Sequence, residues 1–349
     1  MEISVQMNGG DGLYSYSHNS SYQRKAVDAA KKFISEGISE KFDIKQVSAG
    51  SSPTTATFCI ADLGCSVGPN TFIAMQNIID GIRHKYKSQG HIDPKTPEFQ
   101  VFFNDHISND FNKLFTSFPL YKQYYAAAVP GSFSTRLFPK ASLHFVHSST
   151  AIQWLSKVPK QVKDVNSTAL NKGRIHCGGA PREVIDAYSS QFRSDMDSFF
   201  SARAEELVSG ALMALTIPTT PKNRVFPHPI DVLGSCMLEM AKNGQLSEEK
   251  VDSFNIPVYI PFAEEFEEAI KNNGCFSIER FELLDIPINK FDSKILGMHV
   301  RAVWEGLISE HFGNEIMDDL FLLFAERAED IYKSAFRFDA DLFVLLKRK

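Results

Sequence analysis

The 349-residue sequence has only five cysteines and two tryptophans, and no CxxC pair. Cys59, Cys65, Cys177, Cys236 and Cys275 are an odd, scattered set, which argues against a disulfide framework or a zinc knuckle. No run reaches 18 apolar residues, so no membrane span is expected. Met1 to Gly12 is polar and lacks the charged-then-apolar order of a signal peptide. The C-terminal Leu346-Lys347-Arg348-Lys349 matches no retention or peroxisomal signal. A cytoplasmic location is therefore expected, where the sequons at Asn19 and Asn166 carry little weight. An excess of basic charge is missing too. Lys and Arg number 37 against 42 Asp and Glu, a net charge of −5, which speaks against a nucleic-acid partner.

What is present suits a folded globular chain: 43% of residues are apolar and 23% charged. Apolar spacing predicts a helix over 20–42, followed by a loop over 49–55. Short apolar runs at 58–62, 98–105, 124–129 and 143–147 read as strands, with helices over 71–86 and 110–118 between them. A long amphipathic helix covers 181–207, and 211–217 is a further buried strand. Residues 221–275 read as helices broken by Pro and Gly, 276–284 as a strand, 293–333 as mostly helix, and 341–346 as a last strand. Strands alternating with helices predict an α/β sheet with parallel strands, with helical material inserted late and no clean linker.

The most informative stretch is Phe58-Cys-Ile-Ala-Asp62-Leu-Gly64-Cys65-Ser-Val-Gly68-Pro69-Asn70. A strand ends near an acid, Gly64 and Gly68 permit a tight turn with close ligand approach, and Pro69 suits the start of a helix. A plain glycine-bearing loop would read the same way. The phosphate-cradling patterns G-x-G-x-x-G and G-x-x-x-x-G-K-[ST] are both absent here, so a pyrophosphate ligand is poorly matched. Asp105 ends the next strand, where a carboxylate can accept both ribose hydroxyls; alone it could equally be a helix-capping acid. Turn and acid together favour an adenosine cofactor such as S-adenosylmethionine.

At these residues the sequence resembles the plant SABATH methyltransferases, which methylate small carboxylic acids or, in one branch, xanthine nitrogens. The resemblance is carried by Met7-Asn-Gly-Gly10, Ala61-Asp-Leu-Gly-Cys65, Gly68-Pro-Asn70 and Phe103-Asn-Asp105. It continues through Val129-Pro-Gly-Ser-Phe133, Arg136-Leu-Phe-Pro139, Trp154-Leu-Ser-Lys-Val-Pro159, Asp252-Ser-Phe-Asn255 and His311-Phe-Gly313. It implies a Rossmann-like methyltransferase sheet with an α-helical cap over the active site. Residues 1–349 would be one unit: 53–220 mainly the cofactor-binding core, 221–338 mainly cap with one core strand near 276–284, and 340–347 a final core strand. It implies cofactor contacts at Tyr16, Cys65, Asn70, Asp105, His106, Ser132, Phe133 and Ser148, joined by Asp62 and Gly64 of the turn. Gln23 and Trp154 would hold the acceptor carboxylate through an amide and an indole N–H, neutral donors that orient a charge without quenching it. Ser149, Thr150, Gln153, Asp231 and Val300 would complete the acceptor pocket. Asn171, Asp252, Phe254 and Asn255 match a structural magnesium site, and homodimers are common among such proteins.

Departures concern the acceptor. Carboxyl-methylating relatives often have Lys where Asn8 stands and Tyr where Thr150 stands, so a salicylate-type pocket is in doubt and a larger cavity is expected. Ile256-Pro-Val-Tyr-Ile-Pro261 looks like xanthine-methylating members, whereas Tyr124-Tyr-Ala-Ala-Ala and Asp339-Ala-Asp-Leu-Phe343 look like members that methylate loganic-type acids. The resemblance thus implies an S-adenosylmethionine-dependent O-methyltransferase acting on the carboxylate of a small plant acid. A xanthine N-methyltransferase and a non-catalytic cofactor binder are the alternatives.

Overall fold

The computed structural model describes residues 6–47, 57–89, 97–222, 227–286, 292–332 and 340–349. The loop expected at 49–55 and the cap positions 223–226 and 333–338 lie outside the described residues. Seven strands form one sheet: β1 (Thr57–Leu63), β2 (Glu98–Asp105), β3 (Tyr125–Pro130), β4 (Leu143–Ser149), β5 (Leu207–Thr219), β6 (Phe276–Leu283) and β7 (Ala340–Arg348). Their order is β3-β2-β1-β4-β5-β7-β6. The first five pair in parallel, as the alternation of strands and helices predicts. β7 departs from that expectation and runs antiparallel to both β5 and β6. Its approach explains this. Two helices packed on each other, α10 and α11 below, join β6 to β7, so the chain re-enters at the sheet end it left, with Leu283 opposite Leu342.

The helices are α1 (Tyr16–Asn19), α2 (Ser21–Lys41), α3 (Ile44–Val47), α4 (Pro69–Ser88), α5 (Phe111–Thr116), α6 (Arg182–Glu206), α7 (Pro229–Lys242), α8 (Glu248–Ser253), α9 (Ala263–Asn273), α10 (Ser293–Phe312) and α11 (Met317–Tyr332). Central strands read as continuous apolar runs because both faces are buried. In β7, Leu342, Val344 and Leu346 join the core under α6, while Phe343 and Leu345 join the core under α2 and α4. Ala30, Ile34 and Ile38 of α2, and Met75, Ile79 and Ile82 of α4, recur at helical spacing and turn the same stripe to the sheet. Leu233 and Met237 of α7 meet Leu307 of α10 and Phe324 of α11 in a third core, which forms the helical cap.

The strand order reverses between β1 and β4, so the loops leaving their C-terminal ends diverge. That switch point is where open α/β sheets take ligands.

Candidate active site

At the end of β1, Gly64 has φ +78°, and a Cβ there would come within 2.3 Å of the Ala151 methyl. Only glycine fits. The N–H groups of Gly64 and Cys65 both donate to the Asn104 carbonyl, at 2.9 and 3.0 Å, which ties the turn to β2. Asp105, the last residue of β2, is held from two sides. Ser66 N donates to its Oδ2 and His106 N to its Oδ1, each at 2.7 Å. Burial raises the Asp105 carboxyl above its usual value, and the two amide donors offset that only in part. Each oxygen keeps lone-pair capacity for a ligand hydroxyl.

A cavity opens beside this carboxylate. Tyr16, Gly64, Ser66, Asp105, His106, Ser132 and Phe133 line it, with Ser149, Thr150 and Trp154 closing one side. A continuation under the turn is lined by Gln23, Asp62, Cys65 and Asn70. The Asp62 carboxylate and the Asn70 amide face this space with their polar groups engaged. Thr71 Oγ1 donates to Asp62 Oδ2, His147 Nδ1 lies 2.7 Å from Asp62 Oδ1, and Asn70 Nδ2 donates to Ser20 Oγ at 3.0 Å. Burial raises the Tyr16 phenol and the Cys65 thiol, so both stay neutral. Ser66 Oγ and Ser149 Oγ are buried with no partner among the described residues. A carboxylate set for a diol beside two spare hydroxyls fits an adenosine cofactor.

Ser148 is placed differently from the expectation. Its Oγ donates to the Leu63 carbonyl at 2.8 Å, and the side chain is fully buried between β4 and β1. Alternation along β4 decides this: His147 and Ser149 point to the cavity side, and Ser148 points away.

A second chamber of about 100 Å³ adjoins the first. The expected acceptor residues Gln23, Thr150, Gln153, Trp154 and Val300 line it, and Tyr16 and Thr150 border both spaces. Neither the Gln23 amide nor the Trp154 indole N–H hydrogen-bonds to a described residue. Trp154 packs on Trp304 with ring centroids 4.8 Å apart. Trp304, His299 and Val303 come from α10, and His228 and Ile230 from the start of α7. Trp304 and His228 were not expected here. The i, i+3, i+4 spacing of Val300, Val303 and Trp304 marks an apolar helix face, but which space that face closes is a tertiary matter.

Asp231 does not line the chamber. It caps α7, accepting from His228 N at 3.2 Å, and its Oδ1 lies 3.8 Å from His176 Nδ1. Burial would raise its carboxyl, but the neighbouring histidines take it below the usual value. The residues proposed for magnesium cluster but do not fit a cation. Asn171 Nδ2 donates to Asn255 Oδ1 at 2.7 Å, and Asp252 Oδ1 accepts from Gly173 N at 2.7 Å. The orphan atoms left are one acceptor, Asn171 Oδ1, and one donor, Asn255 Nδ2. A divalent cation needs converging oxygens. Among the described residues no group of three or more His, Cys, Asp or Glu could hold a metal.

The chain matches the family described as SAM dependent carboxyl methyltransferase over residues 2–349. A loganic acid O-methyltransferase of Catharanthus roseus is 46% identical, over 98% of this chain and 94% of that protein. A farnesoic acid carboxyl-O-methyltransferase of Arabidopsis thaliana is 40% identical over 95% and 94%. Paraxanthine methyltransferase 2 of the same plant is 38% identical over 93% and 92%. A solved loganic acid methyltransferase with SAH superposes with a TM-score of 0.90 at 46% identity, covering 98% of both chains. Fold and site together define an α/β methyltransferase that uses S-adenosylmethionine. The chain belongs to the plant SABATH family and is a SAM-dependent carboxyl methyltransferase.

Proposed function

We propose that the protein methylates the carboxylate of a small plant acid, with Gln23 and Trp154 gripping that carboxylate. The observation that carries this is the unspent state of both groups: an amide and an indole N–H, free of described partners, in a chamber that meets the cofactor cavity at Tyr16 and Thr150. S-adenosylmethionine, when bound, supplies a sulfonium methyl for in-line displacement. Asp105 receives the ribose hydroxyls, and His106, Ser132 and Phe133 wall the same cavity.

A carboxylic acid with a pKa of about 4 is already ionised near neutral pH, so no general base is needed. His147 is held on Asp62 beneath the turn, and the His106 amide is committed to Asp105. The chain's contribution is to position the anion and exclude water. Val300, Val303, Ile260 and Ile230 supply apolar walls. Orientation of this kind accounts for roughly 7–11 kcal/mol of barrier in favourable systems. We place the enzyme in a reducing, cytosolic setting because all five cysteines are unpaired.

The test is incubation with labelled S-adenosylmethionine and a panel of monocarboxylic acids and xanthines. An alkali-labile methyl ester supports the reading. An alkali-stable N-methyl product from a xanthine, with no ester, overturns it.

A further inference from the structure

We propose that Asp195 is a positioning residue for the methyl transfer: from α6 it holds Ser156, and thereby sets Trp154 relative to the cofactor cavity. The proposal rests on the reading of Trp154 as a grip on the acceptor carboxylate, and adds the group that keeps that grip in place.

Between Ser149 and Lys160 the chain forms neither helix nor strand. Each backbone group there takes its position from its individual bonds. Upstream of Trp154, Thr150 N donates to the Thr216 carbonyl of β5 at 2.8 Å. At Trp154 and just after it, the ties go to the segment that leads into α9. Trp154 bridges to Val258, and Leu155 N donates to the Pro257 carbonyl at 2.8 Å. The next tie returns to the α/β core. Asp195 Oδ2 accepts from Ser156 N at 2.9 Å, and Oδ1 accepts from Ser156 Oγ at 2.7 Å. Gln191 Nε2, one turn back on α6, also donates to Oδ1 at 2.9 Å. Burying a carboxylate is costly unless donors meet it, and three donors meet this buried one. Trp154, Leu155 and Ser156 all line the cofactor cavity, so the clasp lies two residues from the indole.

The same helix reaches a second wall of that cavity. Tyr188 OH donates to the Ile256 carbonyl at 3.1 Å, and Asp195 follows seven residues later, almost two turns on and on the same face. Arg203, further along α6, donates to the carbonyl of the cavity-lining Phe133 at 2.8 Å. Phe192, Phe199 and Phe200 bury α6 in the core. One helix thus sets how far the Trp154 loop stands from the Phe133 wall. In-line transfer is sensitive to that spacing: a misplacement of about 1 Å can cost about a hundredfold in rate.

The experiment uses the full chain with Asp195→Leu, Asp195→Ala and Asp195→Asn. Leu keeps the bulk and the helix propensity but strands the Ser156 N–H. Asn keeps an acceptor for that N–H once Gln191 turns its amide over. Trp154 and Trp304 are the only tryptophans in the sequence, and their rings lie 4.8 Å apart, so tryptophan circular dichroism reads this one pair. Asp195→Leu is expected to lose much of that signal, with helix content and affinity for S-adenosylmethionine unchanged. Its kcat/KM for the best acid of the panel above falls by at least about tenfold. Asp195→Asn recovers most of that loss. In a Trp154→Phe background, Asp195→Leu costs no more than about twofold further, because residues that act through one another do not lose independently. An unchanged tryptophan signal in Asp195→Leu overturns the proposal, and that result needs no substrate. Losses that multiply in the double variant overturn it, as does an Asn variant no better than Leu. Failure of both Leu and Ala variants to fold would assign Asp195 to the fold alone, and overturns it too. In each of these cases a loss in Trp154→Phe leaves the carboxylate reading standing. Trp154→Phe without effect on kcat/KM removes the grip, and the proposal with it.

Discussion

Arg203 Nε lies 2.7 Å from Glu206 Oε2, and neither side chain is exposed. The pair braces the wall of the cofactor cavity. Arg203 donates to the carbonyls of Phe133 and Thr135 at 2.8 and 2.9 Å, and Glu206 Oε1 accepts from Leu137 N and Phe138 N. Removing one partner of a buried pair typically costs about 3–5 kcal/mol, because the other charge is stranded. Glu206→Ala is expected to lose stability of that order in a denaturant titration. Arg203→Lys keeps the charge but loses the fork, and is expected to raise KM for S-adenosylmethionine more than KM for the acid.

Asp105→Asn tests the ribose role. An amide can accept from Ser66 N or from His106 N but not from both, and it presents an NH₂ where a hydroxyl would donate. Affinity for S-adenosylmethionine is expected to fall at least about tenfold, roughly 1.4 kcal/mol, by calorimetry. Unchanged affinity would take Asp105 out of the cofactor site.

Trp154→Phe keeps an aromatic ring against Trp304 and deletes the indole N–H together with part of the ring's bulk. A hydrogen bond to a charged group is worth about 1.5–3 kcal/mol. Steady-state kinetics should show kcat/KM for the acid falling by at least about tenfold while cofactor affinity holds. A collapse of cofactor affinity instead would show that Trp154 serves the cofactor and not the acceptor.

Ser148→Ala separates a latch from a ligand contact. The hydroxyl bridges β4 to the Leu63 carbonyl, so its loss should lower stability by about 1 kcal/mol and leave cofactor affinity intact. Weakened cofactor binding at unaltered stability would restore Ser148 to the cofactor set.

Acid lability follows from two histidines. Burial lowers the pKa of His144, which accepts from Cys59 N, and of His299, which donates to the Asn19 carbonyl at 2.8 Å. Below about pH 6.5 the unfolded chain takes up protons at these rings and the native state does not. Unfolding then binds protons, so stability falls as pH drops from 6.5. Asp105, whose carboxyl is raised, acts oppositely and only from about pH 3.8 upward, where its native state holds the proton longer. Thermal melts from pH 7.5 to 5 should show Tm falling, with a shallower fall in His144→Gln. Equal slopes would exclude His144 as a source.

The turn and the strand-ending acid of the candidate cofactor cavity were readable in the sequence because their signals are local. β1, Gly64, Gly68 and the start of α4 follow one another within one turn of chain, and Asp105 ends the next strand. The acceptor half was readable only in pieces. Adjacent serines divide between two faces of β4: Ser149 reaches the cavity and Ser148 closes on β1. Three residues decide between His228, which lines the chamber, and Asp231, which caps α7 against His176. Such outcomes depend on which neighbour occupies each side, and no spacing rule carries that information.

Residue pattern alone determined the α/β architecture, the glycine turn and the strand-ending acid, since backbone propensity and hydrophobic periodicity act between near neighbours. Tertiary structure alone decided that β7 runs backwards, that Trp304 from the cap closes over Trp154, and that Asp195 of α6 meets Ser156. Each of those required the packing of segments far apart in the chain, and burial, not propensity, selects among such arrangements.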